Sequence, residues 1–274
     1  MVTINIALLA FIIASIAYIM KEVWKPEILR KASLAIFIVG FLLNTVLVVN
    51  RWIESGHAPF SNLYESLIFY AWSVGFVYLI LEYLYSLRIV GALSTVMIMF
   101  LLLYASTTDE TIRPLMPALQ SNWLTVHVVT YFIGYAALGI SFLTSILYLV
   151  WRLRSRTSLA GGPMDFQKLS YKIVAFGFPF LTLGLITGAV WANMAWGTYW
   201  SWDPKETWSL ITWLIYLLYL HTPLVLPRMN IDKAKIPVVQ SVCLVAAFAA
   251  VIFTYLGLAY LPSASDSEHI YGNK

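Results

Sequence analysis

Residues 188–221 read GAVWANMAWGTYWSWDPKETWSLITWLIYLLYLH, and this stretch decides how the chain is understood. It contains Trp191, Trp196, Trp200, Trp202, Trp208 and Trp213, six of the eleven tryptophans. In its centre, Asp203 suits a helix N-cap, Pro204 suits the first helical position, and Glu206 stands where a capping-box carboxylate belongs. Gly197 interrupts the aromatic segment before the cap. After the cap comes an apolar run that reaches His221, with Pro223 following. A polar, aromatic surface therefore sits on top of a membrane helix, and a histidine lies far down that helix.

Composition extends this reading to the whole chain. It is 61% hydrophobic and 11% charged over 274 residues, with a mean hydropathy of +0.80. Such values exclude a soluble domain and predict an all-α, polytopic membrane helix bundle. Eight apolar stretches approach the roughly 20 residues a helix needs to cross a bilayer. They cover 4–20, 33–50, 64–86, 89–105, 124–150, 171–191, 208–226 and 236–258, with a very short turn at Leu87-Arg88. The first, in MVTINIALLAFIIASIAYIM, lacks a basic leader and a cleavage site, so it reads as a retained span. The single membrane domain 1–274 divides into two spans (1–55), four spans with their outer loops (56–191), the tryptophan segment (192–207), and two spans with a tail (208–274). Cys243 is the sole cysteine and lies in an apolar segment, which excludes an internal disulfide or dithiol chemistry within the chain.

Charge gives orientation. The loops after spans one, three, five and seven carry Lys21, Lys25, Arg30, Lys31, Arg88, Arg152, Arg154, Arg156, Lys168, Lys172, Arg228, Lys233 and Lys235; the opposite side keeps only Arg51, Arg113, Lys205 and Lys274. The positive-inside rule places the first set in the cytoplasm and both termini outside. The outer face then receives RWIESGHAPFSN (51–62), the 106–122 loop, the tryptophan segment and the tail from 259. The 155–163 stretch SRTSLAGGP is a flexible cytoplasmic link. In the first outer loop, Asn62 and Glu65 have capping-box spacing.

The four histidines differ in depth. His57 lies in the first outer loop, His127 near the outer end of span five, and His269 in the tail. His221 is 13 residues beyond Trp208, which is roughly 20 Å at 1.5 Å per residue. That is the inner half of a core about 30 Å thick. An ionisable group there is costly unless paired or used. Its alternatives are a functional ligand, a neutral imidazole bonded across helices, and a residue at the inner boundary. The tryptophans also have two readings. Trp208 and Trp213 suit an interfacial belt or packing. Trp196, Trp200 and Trp202, crowded into seven residues, offer an aromatic platform for a large planar ligand, and neighbouring histidines offer axial ligands to iron. Asp203 and Glu206 are accounted for by capping as readily as by chemistry.

The segment WGTYWSWDPKETW resembles the tryptophan-rich WWD signature of haem-handling membrane proteins. With GAVWANMAWG and ETWSLITWLIYLLYLH on its flanks and GHAPFSNLYESL upstream, the chain is similar to the CcsA/ResC family of system II cytochrome c biogenesis. The related CcmC and CcmF families share the WWD core but less outside it. The resemblance covers about residue 57 to the C-terminus. It implies a cytochrome c haem lyase, or synthase, that moves haem outward and joins it to CxxCH motifs of apocytochromes. It implies haem b as bis-histidine-ligated cargo, with His127 and His269 as outer iron ligands and His221 as a deeper one. It implies that Trp196, Trp200, Trp202 and Asp203 present haem for attachment, with Trp191, Trp208 and Glu206 also binding the cofactor. The tail reads LPSASDSEHIYG, where the family pattern is Gly-Leu-His-Ser-Tyr-Gly; His269 and the Tyr-Gly pair align, whereas Glu268 and Ile270 depart. The implied partners are a CcsB/ResB-type membrane subunit, which would complete the deep site, apocytochrome c, and thioredoxin-like thiol reductants, in a bilayer and with no nucleic acid. The setting expected is a bacterial plasma membrane before a thylakoid. A carrier that passes haem to a separate synthase is the alternative within this chemistry. A small-solute transporter is the alternative outside it, but Glu82 is the one clearly acidic residue inside a span, which argues against that reading.

Overall fold

A computed structural model describes residues 4–24, 27–85, 88–154, 166–233 and 235–257. His269, the tail from 259 and the whole 155–163 link lie outside the described residues, as does Leu87. Among the described residues there are α-helices, two short 3-10 turns and no strand. The helices are α1 (Ile4–Trp24), α2 (Glu27–Ser55), α3 (Leu63–Tyr85), α4 (Arg88–Ala105), α5 (Asn122–Arg154), α6 (Phe166–Trp196), α7 (Pro204–Val225) and α8 (Ile236–Tyr255). Six of them are long and apolar enough to cross a membrane, and Ile4–Met20 and Ile89–Ala105 are shorter apolar stretches.

Most helices outrun their apolar cores, for identifiable reasons. The expected end of span two is residue 50, but α2 continues to Ser55. Arg51 is buried there, and its Nε donates to Glu65 Oε1 at 2.9 Å. Span six runs on to Trp196, where Gly197 at φ +81° ends it and donates its N–H to Asn193 O at 2.9 Å. Glycine is the residue that adopts this left-handed stop without steric cost. Pro223 does not end α7, which continues to Val225. Proline has no N–H to give the carbonyl four residues back. The Thr222 hydroxyl donates to that carbonyl, Tyr219 O, at 2.7 Å instead.

The helices form two compact units, divided between Ser121 and Asn122. In the first, α1 packs on α2 and α4, and α3 packs on α2 and α4. Its interior holds Phe11, Phe37, Tyr18 and Tyr78, with the Tyr18 and Tyr78 hydroxyls 2.7 Å apart. In the second, α5 packs on α6 and α8, and α7 also packs on α6 and α8, so that α5 and α7 lie across from each other. The α5–α6 seam is made of small residues. A Cβ on Gly177 would lie 2.6 Å from Ala137 Cβ, and one on Gly134 would lie 3.1 Å from Leu181 N. Such seams bring membrane helices together where lipid offers no hydrophobic drive.

Candidate haem site at the head of the second unit

His127 is built into this seam. It lies on α5 one turn before Tyr131, and both rings lie against glycines of α6. A Cβ on Gly188 would come within 2.5 Å of His127 Nδ1, and Gly184 faces the Tyr131 ring in the same way. Glycine at 184 and 188 thus makes two notches, one turn apart on one helix face. His127 Nδ1 lies 2.7 Å from Gly184 O. A carbonyl can only accept, so Nδ1 carries the proton, and the basic lone pair of the neutral ring is on Nε2. A backbone carbonyl behind one ring nitrogen is how proteins orient a metal-ligating imidazole. One turn beyond Gly188, Trp191 stacks on His127 at 6.1 Å and 20°, and Trp196 meets Trp191 edge-on at 4.7 Å. Histidine and tryptophans therefore form one continuous aromatic wall.

The tryptophan segment then turns back into α7. Glu206 ties it down. Its buried Oε2 accepts from Ser201 N at 2.8 Å, Ser201 Oγ at 3.3 Å and Asp203 N at 3.3 Å. Asp203 Oδ1 accepts from Lys205 N at 2.7 Å. The expected capping box at Asp203 and Glu206 is present. It also does something capping alone does not require. The amides bonded to Glu206 bracket Trp202, which has φ +61° and is 69% exposed. A bulky residue in that region costs on the order of 1–3 kcal/mol and persists only where its surroundings impose it. Trp202 meets Trp200 edge-on at 5.8 Å, and the Trp200 indole N–H is buried with no partner among the described residues.

The other expected residues take separate places. Trp208 packs edge-on against Phe253 of α8 at 4.4 Å. Trp213 donates to Thr182 Oγ1 at 2.9 Å and meets Phe178, so it joins α7 to α6. His221 is exposed on α7, with Nδ1 2.7 Å from Leu217 O of its own helix. It shares a stripe with Leu214, Leu218 and Val225, all exposed. His57 is in the first unit; its Nδ1 donates to Ala58 O at 3.0 Å, and its Nε2 is buried without a partner among the described residues. Asn62 does cap α3, with Oδ1 accepting from Glu65 N at 2.8 Å. The Glu65 carboxylate turns elsewhere, to Arg51, Ser61 N and Ser61 Oγ. Sequence reasoning missed this buried pair, because a carboxylate at a helix start looks the same whether it caps or pairs. It also missed Gly184, Gly188 and Tyr131. The GLITG spacing was a signal for a close α5–α6 approach, though nothing in it named the rings that fill the notches.

The sequence profile of the cytochrome c assembly protein family matches residues 60–264. The chain is 36% identical to cytochrome c biogenesis protein CcsA of Guillardia theta over 98% of this chain and 95% of that one. This chain belongs to the cytochrome c assembly family. It is also 39% identical to CcsA of Chlamydomonas reinhardtii, over 95% of this chain and 72% of the relative, and 38% identical to CcsA of Microcystis aeruginosa over 62% and 69%. The CcsA/ResC resemblance read from WGTYWSWDPKETW is thereby borne out. Among solved structures, the chain resembles cytochrome c haem lyase CcmF with a TM-score of 0.65 over 92% of its length. That likeness is one of fold, at 17% identity, and this chain spans 45% of the CcmF chain.

Proposed function

We propose that this membrane protein carries haem outward and presents it for covalent attachment to apocytochrome c, acting as a haem lyase. The observation that carries this reading is the His127 imidazole, oriented by Gly184 O and continuous with the tryptophan wall. It supplies a positioned nitrogen ligand beside an aromatic face, which is what a flat iron macrocycle needs. His269 is the second outer ligand in this proposal. His221, exposed on its stripe, ligates haem b at a deeper site whose other ligand comes from a CcsB/ResB-type subunit. Eight spans, outer termini and a single membrane domain complete the arrangement. Relatives in algae and in cyanobacteria leave the host membrane open between a bacterial plasma membrane and a thylakoid.

Attachment requires ferrous haem and two free cysteine thiols, kept reduced by thioredoxin-like proteins. Each S–H adds across one vinyl double bond; sulfur bonds to the carbon next to the ring and the hydrogen goes to the terminal carbon. No net oxidation occurs. The protein contributes position: Trp196, Trp200, Trp202 and Asp203 hold the ring so that the thiols meet the vinyls at high effective concentration. The apocytochrome histidine then displaces one ligand and the product leaves.

The test is an absorption spectrum of the protein purified with its partner, for wild type and for His127→Ala, His221→Ala and His269→Ala. A low-spin bis-histidine spectrum, weakened in each variant and restored by imidazole, is expected. Loss in the first two but not in His269→Ala removes the tail ligand from the scheme. A wild type without haem rejects the reading. Incubation with a CxxCH peptide separates lyase from carrier, because only a lyase yields a peptide with haem bound through thioethers.

A further inference from the structure

Lys205 has no part in the site as described so far, yet the framework puts it there. The Tyr131 side chain on α5 faces the Ser209 side chain on α7. Since α5 and α7 each pack on α6 and α8 in the second unit, this approach marks a common level. The two helices run in the same direction, because each is antiparallel to α6. On the α5 side, Gly184 lies against Tyr131 and Gly177 against Ala137; on the α7 side, Thr182 pairs with Trp213 and Tyr171 with Tyr219. One turn before Tyr131 on α5 is His127. One turn before Ser209 on α7 is Lys205, whose carbonyl accepts the Ser209 hydroxyl at 2.7 Å. Residues four apart share a helix face. His127 and Lys205 therefore stand about one turn above Tyr131 and Ser209, on α5 and α7 respectively.

The Lys205 side chain is half-buried, and its ammonium makes no hydrogen bond or ion pair among the described residues. The nearest carboxylate in sequence, Asp203, already receives the Lys205 backbone N–H. Glu206 is committed to Ser201 and Asp203. A second donor, the buried Trp200 indole N–H, belongs to the same tied turn. A half-buried cation with no hydrogen bond among the described residues, near the level of an imidazole oriented by a backbone carbonyl, suits an anionic group on the ligand of that imidazole. We propose that Lys205 is the counter-charge for a porphyrin carboxylate, so that the outer site recognises an anionic macrocycle as well as an iron. This rests on the reading of His127 as a haem ligand.

The experiment uses the full-length chain carrying His221→Ala, so that only the outer site is read. Ferric protoporphyrin IX and its dimethyl ester, whose carboxylates are masked, are titrated into this parent and into Lys205→Met and Lys205→Arg. The expected result is about a tenfold weakening of the free acid in Lys205→Met, recovery in Lys205→Arg, and equal ester affinity in all three proteins. The low-spin band should persist at saturation, since His127 is intact. Unchanged free-acid affinity in Lys205→Met would overturn the proposal and leave Lys205 a surface cation. Equal loss of acid and ester would overturn it in favour of a structural role at the α7 start. A parent with no low-spin band, whatever happens at Lys205, rejects the His127 reading and the proposal with it.

Discussion

His127 and His221 use the same local device in opposite surroundings. Each has Nδ1 about one hydrogen-bond length from a backbone carbonyl, at 2.7 Å, and so each presents Nε2 as the basic nitrogen. For His127 the carbonyl belongs to another helix, and the ring is wedged between Gly188 and Trp191. For His221 the carbonyl belongs to its own helix, and the ring stands exposed among Leu214, Leu218 and Val225. The first histidine is fixed by this chain's packing. The second is held, among the described residues, by its own helix, and the proposed function draws the rest of its surroundings from a partner subunit. On the proposed function, a preorganised ligand and one that awaits a partner should respond to different substitutions.

The largest effect should come from filling the glycine notch. In Gly188→Leu, the new side chain occupies the position of the His127 ring, since its Cβ alone would lie 2.5 Å from Nδ1. The ring must leave Gly184 O, and the outer low-spin haem signal should fall at least tenfold. A His127→Ala partner variant should lose no more than this, while haem held through His221 is retained. Equal loss at both sites would mean that the seam supports the whole unit and not one ligand. Next in size is Glu206→Ala. It removes the acceptor of three bonds and releases Trp202 from its strained turn, and about 2 kcal/mol of stability should be lost. The check is the thermal midpoint together with outer-site affinity. Glu206→Gln keeps an acceptor oxygen and should lie between. On the other side of the comparison, Leu218→Gln alters the exposed stripe without touching the tryptophan wall. Haem at the His221 site and recovery of the partner subunit should drop a few-fold, with the outer spectrum unchanged.

How far the sequence went follows from the range of its signals. The helices were legible because apolar length is a local property, and the Asp203–Glu206 cap because Asp203, Pro204 and Glu206 announce it within one turn. The tryptophan cluster was legible by density alone. Gly184 and Gly188 were not, since a glycine's meaning depends on what another helix presses against it. Arg51 looked like a loop cation at a span end; only the fold brought Glu65 to it, fourteen positions later. The depth of His221 could be counted along α7, whereas the face it occupies depends on where α6 and α8 pack. Span seven was expected to run through Pro223 to 226, and α7 does run to Val225: a threonine just before proline can serve the carbonyl that proline leaves.

That threonine gives the smallest and most discriminating prediction. Thr222 Oγ donates to Tyr219 O at 2.7 Å and accepts from Gln240 Nε2 at 2.6 Å, while Gln167 Nε2 in turn donates to Gln240 Oε1. One hydroxyl next to His221 thus links α7 through α8 to α6. Thr222→Val should cost about 1 kcal/mol, near the usual worth of such bonds inside membranes. Two parts of that loss can be separated. In Pro223→Ala the backbone N–H returns and can bond Tyr219 O, so Thr222→Val on that background should cost only what the Gln240 link contributes. A coupling of about half a kcal/mol between the two positions is expected from a double-mutant cycle. If the losses simply add, the hydroxyl does not compensate for the proline, and the anchoring of the helix below His221 lies wholly with Gln240.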